Sequence, residues 1–241
     1  MFVVNKGTST CRSAFLGLTN RVRGDLMVKI NLYCIRHGET LLNKYKKMQG
    51  WADSPLTEEG KAVAIETGKK LAEIPFNRVY TSDSGRTVET AELILQQNKH
   101  KEDLVIQKVK EFREMFFGSF EGDSSEATWS KMAIDNGFSS SAEMMRTYSM
   151  EEAINAIQNS DPLGHAESYN EFTDRIKRGL RMITSENQKD ENILLVTHGV
   201  VIMSMINQFS EMPIGAIEIK NSSITHLNYS NEVFKVISYN Q

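Results

Sequence analysis

An α/β sandwich of three layers, with a mostly parallel central sheet and helices on both faces, is predicted by two features of the chain. From Val28 onward, short runs rich in β-branched and aromatic residues alternate with longer runs of helical period. One short run, NILLVT before His198, has an unbroken apolar centre, as a strand covered on both faces requires.

The elements follow in order. KINLYCI and RVYTS read as strands feeding turns or helix caps. Between them Thr57 can cap a helix that carries Glu58 and Glu59 in its first turn, presents Ala62, Ile65, Leu71 and Ala72 as a buried face, and closes at Pro75. SGRTVETAELILQQ is a second helix, LVIQKVKEF a strand, and ESYNEFTDRIKRGLRMITSE a helix that leads into NILLVT and the helix GVVIMSMINQF. SITHLNY and EVFKVISY, separated by Ser230 and Asn231, suit a closing hairpin. Residues 123–163 carry helical fragments punctuated by Gly137, the serines 139–141 and Pro162. They are expected to form an insertion over one end of the sheet.

Length and composition bound the function. A chain of 241 residues with 40% apolar content can bury a sizeable core, here assigned to residues 27–241. Residues 1–26 are basic and acid-poor until Asp25, and are set outside the fold. An upstream extension is favoured over a transit peptide, with Met27 the natural first residue of the domain. The net charge of −3, with Lys and Arg dispersed, argues against nucleic acid or a membrane surface as partner. Cys11 and Cys34 match neither a disulfide framework nor a zinc spacing, which fits a reducing cytoplasm. The run ILLVTHGVVIMSMI is too short to span a bilayer. Association into a homodimer is left open.

In open α/β sheets, ligands bind beyond the carboxyl ends of the strands. Arg36 and His37 stand at one such end, Arg86 in the first turn after another, and His198 and Gly199 at a third, before a helix whose N-terminal amides favour an anion. A lone histidine is more often structural. Four such residues from three strand ends point instead to a site for an anionic group.

The order and spacing of RHGET, Asn43, QGWADSPLTEEG, SDSGRTVETA, EFREMFFGSFEG and VTHG carry a family resemblance. Across nearly all of residues 28–241 the chain resembles the histidine phosphatase superfamily, the phosphoglycerate-mutase-like fold. Ser84, where the family usually has Leu, and Ala166, in place of a common Gly, depart from the pattern. The resemblance implies that Arg36 and Arg86 neutralise a phosphomonoester and that His37 is the nucleophile. His198 is then the second imidazole, and Asn43, Gln49, Gly50 and the amide of Gly199 line the pocket. Forked guanidinium donors suit phosphate, and a phosphohistidine divides one difficult displacement into two.

Glu114 matches the family's acid, ahead of its neighbour Glu111 and of Glu121, which matches a structural position. One carboxyl group can protonate the leaving alkoxide and later take a proton from water. No metal and no cofactor is expected, because two arginines supply the charge. The expectation is a phosphoric monoester hydrolase of the histidine acid type acting on a small phosphorylated metabolite. The alternatives are a cofactor-dependent phosphoglycerate mutase and an inactive phospho-ligand or protein-binding module. The mutase branch is disfavoured because EMFFGSFEG stands where it usually carries Glu-Arg-His-Tyr-Gly. His100 and His226 are expected to be structural or exposed, and the same reading is favoured for His165 over its alternative, a place at the substrate end of the pocket. Met144, Met145, Met150 and Met203 are expected to fill packing gaps.

Overall fold

The computed structural model describes residues 28–185, 189–211 and 217–241, so the extension over residues 1–26 lies outside the described residues. The sheet has six strands: β1 (Ile30–Arg36), β2 (Arg78–Thr81), β3 (Ile106–Lys108), β4 (Glu191–Thr197), β5 (Ile224–Ser230) and β6 (Val233–Ser238). Their order is β3-β2-β4-β1-β5-β6. The first four are mutually parallel, and β5 and β6 add antiparallel.

Alternation along the strands builds two cores. Ile30, Leu32, Cys34, Ile193 and Leu195 face helices α7 (Tyr169–Ser185) and α8 (Gly199–Phe209). Ile35, Val79, Leu194 and Val196 face the other layer, which contains α2 (Glu58–Lys70) and α3 (Gly85–Gln97). Every apolar residue of β4 from Ile193 to Val196 is fully buried. At roughly 1.5–3 kcal/mol for each fully buried aliphatic side chain, this strand makes a large contribution to cohesion.

Helix α2 turns a different face to the core from the one the apolar residues suggest. Thr57 caps it as expected, accepting from Gly60 N at 2.9 Å. Ala62, however, is exposed, and Gly60, Ala64, Thr67, Gly68 and Leu71 are buried. The glycines decide this rotation. A Cβ on Gly60 would stand 2.3 Å from Glu39 O, and one on Gly68 would stand 2.9 Å from the backbone of Ile94 in α3. The helix also ends before Pro75, at Lys70.

Other departures are local. The run LVIQKVKEF pairs only over Ile106–Lys108 before Lys110–Phe112 tightens into a 3₁₀ turn that buries Phe112. A four-residue helix, α1 (Leu41–Lys44), follows the first strand and is closed by a capping box between Thr40 and Asn43. The final hairpin turns on Asn231 and Glu232, both at positive φ, one residue later than expected.

The insertion is helical: α4 (Ser125–Asp135), α5 (Ser141–Thr147) and α6 (Met150–Ser160). Ser124, Ser140 and Ser149 cap the three helices in turn, so serines that resemble loop punctuation act as helix starts. Among the described residues no helix is long and apolar enough to cross a membrane.

Candidate active site

The parallel register brings three strand ends level. Arg36 pairs with Thr197, and Thr81 with Val196. The next residues, His37, Ser82 and His198, therefore emerge side by side. His37 N donates to Thr197 O at 2.9 Å, extending the ladder by one bond. The two imidazoles lie 5.3 Å apart, centre to centre, inclined at 64°.

His37 is buried, and its Nδ1 is 2.7 Å from Gly38 O. A carbonyl oxygen only accepts, so Nδ1 carries the proton and Nε2 keeps its lone pair. Burial, aided by the charges of Arg86 and Arg36, holds the imidazole well below its ordinary pKa against the opposing Gly38 carbonyl. It is therefore neutral at pH 7, as a nucleophile must be.

The segment is clamped from two sides, by Gly38 N on Thr90 Oγ1 at 3.0 Å and by Asn221 Nδ2 on His37 O at 2.9 Å.

Arg86 is 1% exposed. Its Nη1 donates to Ala52 O and Asp53 Oδ1, both at 2.9 Å, and its Nη2 to Gly50 O at 2.7 Å and His198 Nδ1 at 3.0 Å. A guanidinium only donates, so Nδ1 of His198 accepts here and Nε2 carries the proton. That nitrogen meets Ser82 Oγ at 2.8 Å, and Ser82 in turn meets Thr87 Oγ1 at 2.8 Å. Burial, then the charge of Arg86, depresses His198 as well. Arg36 donates through Nη1 to Ile219 O at 2.5 Å.

The Nε groups of both arginines are buried without an acceptor. Two unpaired cationic N–H groups, each costing about 1–3 kcal/mol or more when desolvated, flank a pair of neutral imidazoles. A phosphoryl dianion would compensate this excess of buried positive charge.

Glu114 sits on a loop held by distant groups. Its carbonyl accepts from Trp51 Nε1 at 3.0 Å and Arg175 Nη2 at 2.7 Å, and Arg175 is also forked onto Glu167. The buried carboxyl accepts from Met115 N at 3.0 Å on Oε1 and from Val200 N, in the first turn of α8, at 3.1 Å on Oε2. Burial raises its pKa above the usual carboxylate value, against the two amides and the charges of Arg86 and Arg36.

Glu121 plays a separate, structural part. Its carboxylate accepts from the amides of Gly50, Trp51, Ala52 and Phe117, at 3.0, 2.9, 3.0 and 3.1 Å.

The remaining pocket residues differ in what they offer. Gly50 allows a close approach, since a Cβ there would lie 2.1 Å from Met115 O. Gln49 is occupied by Thr40 Oγ1 at 2.6 Å and Ser54 Oγ at 3.3 Å. Asn43 spends its carbonyl oxygen on Thr40 N at 3.2 Å. Its amide nitrogen has no acceptor among the described residues. At Gly199 a Cβ would stand 3.4 Å from Arg36 Nε, so a side chain there would press on the guanidinium.

Comparison with known proteins agrees with this arrangement. The sequence matches the histidine phosphatase superfamily (branch 1) over residues 32–241. The chain belongs to the histidine phosphatase superfamily. Among similar proteins, the probable phosphoglycerate mutase GpmB of Salmonella paratyphi A is 29% identical over 203 residues, covering 83% of this chain and 85% of that one. A crystal structure of phosphoglycerate mutase from Bacillus anthracis str. Sterne superposes with a TM-score of 0.85 at 34% identity, over 89% of this chain and 94% of its own. The alpha-ribazole phosphatase of Shigella flexneri shares the fold, with a TM-score of 0.66 at 22% identity over 88% and 96% of the two chains.

Within this superfamily member, several supporting residues escape a reading of the sequence. Asp53 bridges Arg86 and the amide of Gly85, at 2.9 and 2.6 Å, and so serves helix α3 where Ser84 makes no side-chain cap. Ser82 anchors His198. Both lie inside quoted motifs, QGWADSPLTEEG and the SDSGR run, but their partners come from other loops.

His165 is exposed, and its amide donates to Asp161 Oδ2 at 2.7 Å. His100 is exposed, and His226 is stacked on Tyr33 at 4.6 Å. Met144 fills core space as expected, Met150 and Met203 pack against the same core, and Met145, Met150 and Met203 also border a cavity.

Proposed function

We propose that the protein hydrolyses a phosphomonoester through a phosphohistidine intermediate on His37. Arg36 and Arg86 bind the equatorial oxygens, and Arg86 Nη2 leaves His198 Nδ1 for the phosphoryl group. His198 then exchanges its Nε2 proton for one on Nδ1 through solvent, so that Nε2 accepts a hydrogen bond from the Ser82 hydroxyl and the new Nδ1–H points to the same oxygens. His37 Nε2 attacks phosphorus, the bond to the alcohol oxygen breaks, and Glu114 gives its proton to that oxygen. Water then attacks the phosphohistidine, returns a proton to Glu114 and releases inorganic phosphate.

The observation favouring water over a second phosphate ester as acceptor is the inventory of charge. The cations that act on His37, His198 and Glu114 are Arg36, Arg86 and Arg175. Arg175 is committed to Glu167 and to the carbonyls of Glu111, Arg113 and Glu114. Arg113, which stacks over Trp51, is forked onto Asp83 at 2.7 and 2.6 Å. Among the described residues this leaves Arg36 and Arg86, whose buried Nε groups have no acceptor, enough for one phosphoryl group. A mutase must hold a bisphosphorylated intermediate.

The competing reading is phosphoglycerate mutase, the activity named for two of the similar proteins. Phosphorus NMR of the reaction with 3-phosphoglycerate separates them. Free phosphate is expected to form without prior accumulation of 2-phosphoglycerate. Isomer appearing faster than phosphate, with dependence on a bisphosphorylated primer, would establish the mutase instead. No metal is assigned a role, so activity after exhaustive chelation should be unchanged, and a loss restored by magnesium or manganese would count against the mechanism.

A further inference from the structure

We infer that the alcohol half of the substrate is an uncharged aryl or branched-alkyl group, bound in a cavity beside Glu114 that the helical insertion closes. The inference rests on the hydrolytic reading of the site. The cavity has a volume of about 340 Å³. Two of its lining residues are Met115 and Val200, whose amides hold the two oxygens of Glu114. A third, Glu218, adjoins Ile219, whose carbonyl anchors Arg36. The cavity is therefore separated from the acid by the residues that bind its carboxyl, and from Arg36 by the segment that anchors it. The leaving oxygen must lie within reach of Glu114 to receive its proton, which directs the rest of the alcohol into this space.

The walls specify chemistry. Ile154 and Ile157 of α6 are buried there, and Trp129 of α4 and Met145 of α5 are half-buried. Polarizable methionine thioethers adapt to irregular apolar shapes and make favourable contacts with aromatic rings. The lining hydroxyls are already engaged, Tyr148 with Asn136 Oδ1 at 3.3 Å and Ser149 with the amide of Glu152 at 3.2 Å. Among the described lining residues the one charged side chain, that of Glu218, would repel an anionic alcohol such as a glycerate. An apolar cavity of about 150 Å³ accepts benzene, so this one has room for a ring with a short chain.

The test compares 4-alkylphenyl phosphates, in which the phenol acidity is nearly constant while the apolar chain grows. For the wild-type protein kcat/KM should rise about fourfold per added methylene from phenyl to 4-propylphenyl phosphate. It should be at least about tenfold higher for 4-propylphenyl than for 4-(2-carboxyethyl)phenyl phosphate. A flat series with continuing phosphate release would overturn the cavity assignment and leave hydrolysis standing. Isomerisation of 3-phosphoglycerate outrunning phosphate release in the NMR assay above would remove the hydrolytic reading and this inference together.

Met145→Lys, which puts a cation into the wall of the cavity, should reverse the preference between the propyl and carboxyethyl substrates, read as the ratio of their kcat/KM values. Equal loss on both substituted substrates would also overturn the assignment.

Discussion

His37→Ala is expected to lower kcat/KM for every phosphomonoester by at least about 10⁴-fold and to abolish acid-labile labelling of the protein. Removal of an enzyme nucleophile typically leaves only the residual acceleration from binding and electrostatics. Folding should survive, because His37 follows the last residue of β1, and its main-chain bonds to Thr197 O and from Asn221 Nδ2 do not involve the imidazole. Rapid-quench trapping and circular dichroism together check both parts. Labelling of the variant at the wild-type rate would place the covalent bond elsewhere.

The second large effect is at Glu114. Glu114→Gln should slow an alkyl phosphate by about 10²–10⁴-fold, the usual range for a lost general acid. A phosphate ester of an acidic phenol should suffer far less, because its leaving group needs little protonation. The pH profile gives an independent readout. Burial raises the pKa of Glu114, so its acid form persists to higher pH than for an exposed glutamate, and phosphoryl transfer to His37 should decline as pH rises through that raised value. His37 is depressed, so its neutral form is already complete at lower pH and sets no limb near neutrality. The descending limb should vanish in the glutamine variant. Equal slowing of both substrate types, with the limb retained, would exclude Glu114 as the acid.

What the sequence reveals about this site follows the sheet. Arg36, His37 and His198 were legible because a parallel strand's carboxyl end is fixed by its own apolar run, and the register then aligns neighbouring ends. Arg86 was legible for the same reason, one helical turn later. Glu114 was found only through resemblance, because no periodic pattern positions it. Trp51 and Arg175 hold its main chain from segments distant in sequence.

The buried face of α2 was misread since apolar counting is blind to contact made through glycine, and Gly60 and Gly68 place that helix against Glu39 and α3. The methionines of the insertion were read as packing because composition does not distinguish a filled interior from the wall of an empty one. Only the relative placement of α4, α5, α6 and α8 reveals the space between them.

Glu121 also has a dynamic consequence. Its single carboxylate gathers amides from Gly50 to Ala52 and from Phe117, while the carbonyls of Gly50 and Ala52 receive Arg86. The loop that restrains Arg86 and the loop that bears Glu114 thus share one fastener. Opening either one exposes the other, so local unfolding here is a concerted event rather than independent fraying of two loops. The protein is consequently expected to pass between a fully assembled catalytic end and a fully disassembled one, with few half-built sites in which a reactive phosphohistidine could form without its proton donor.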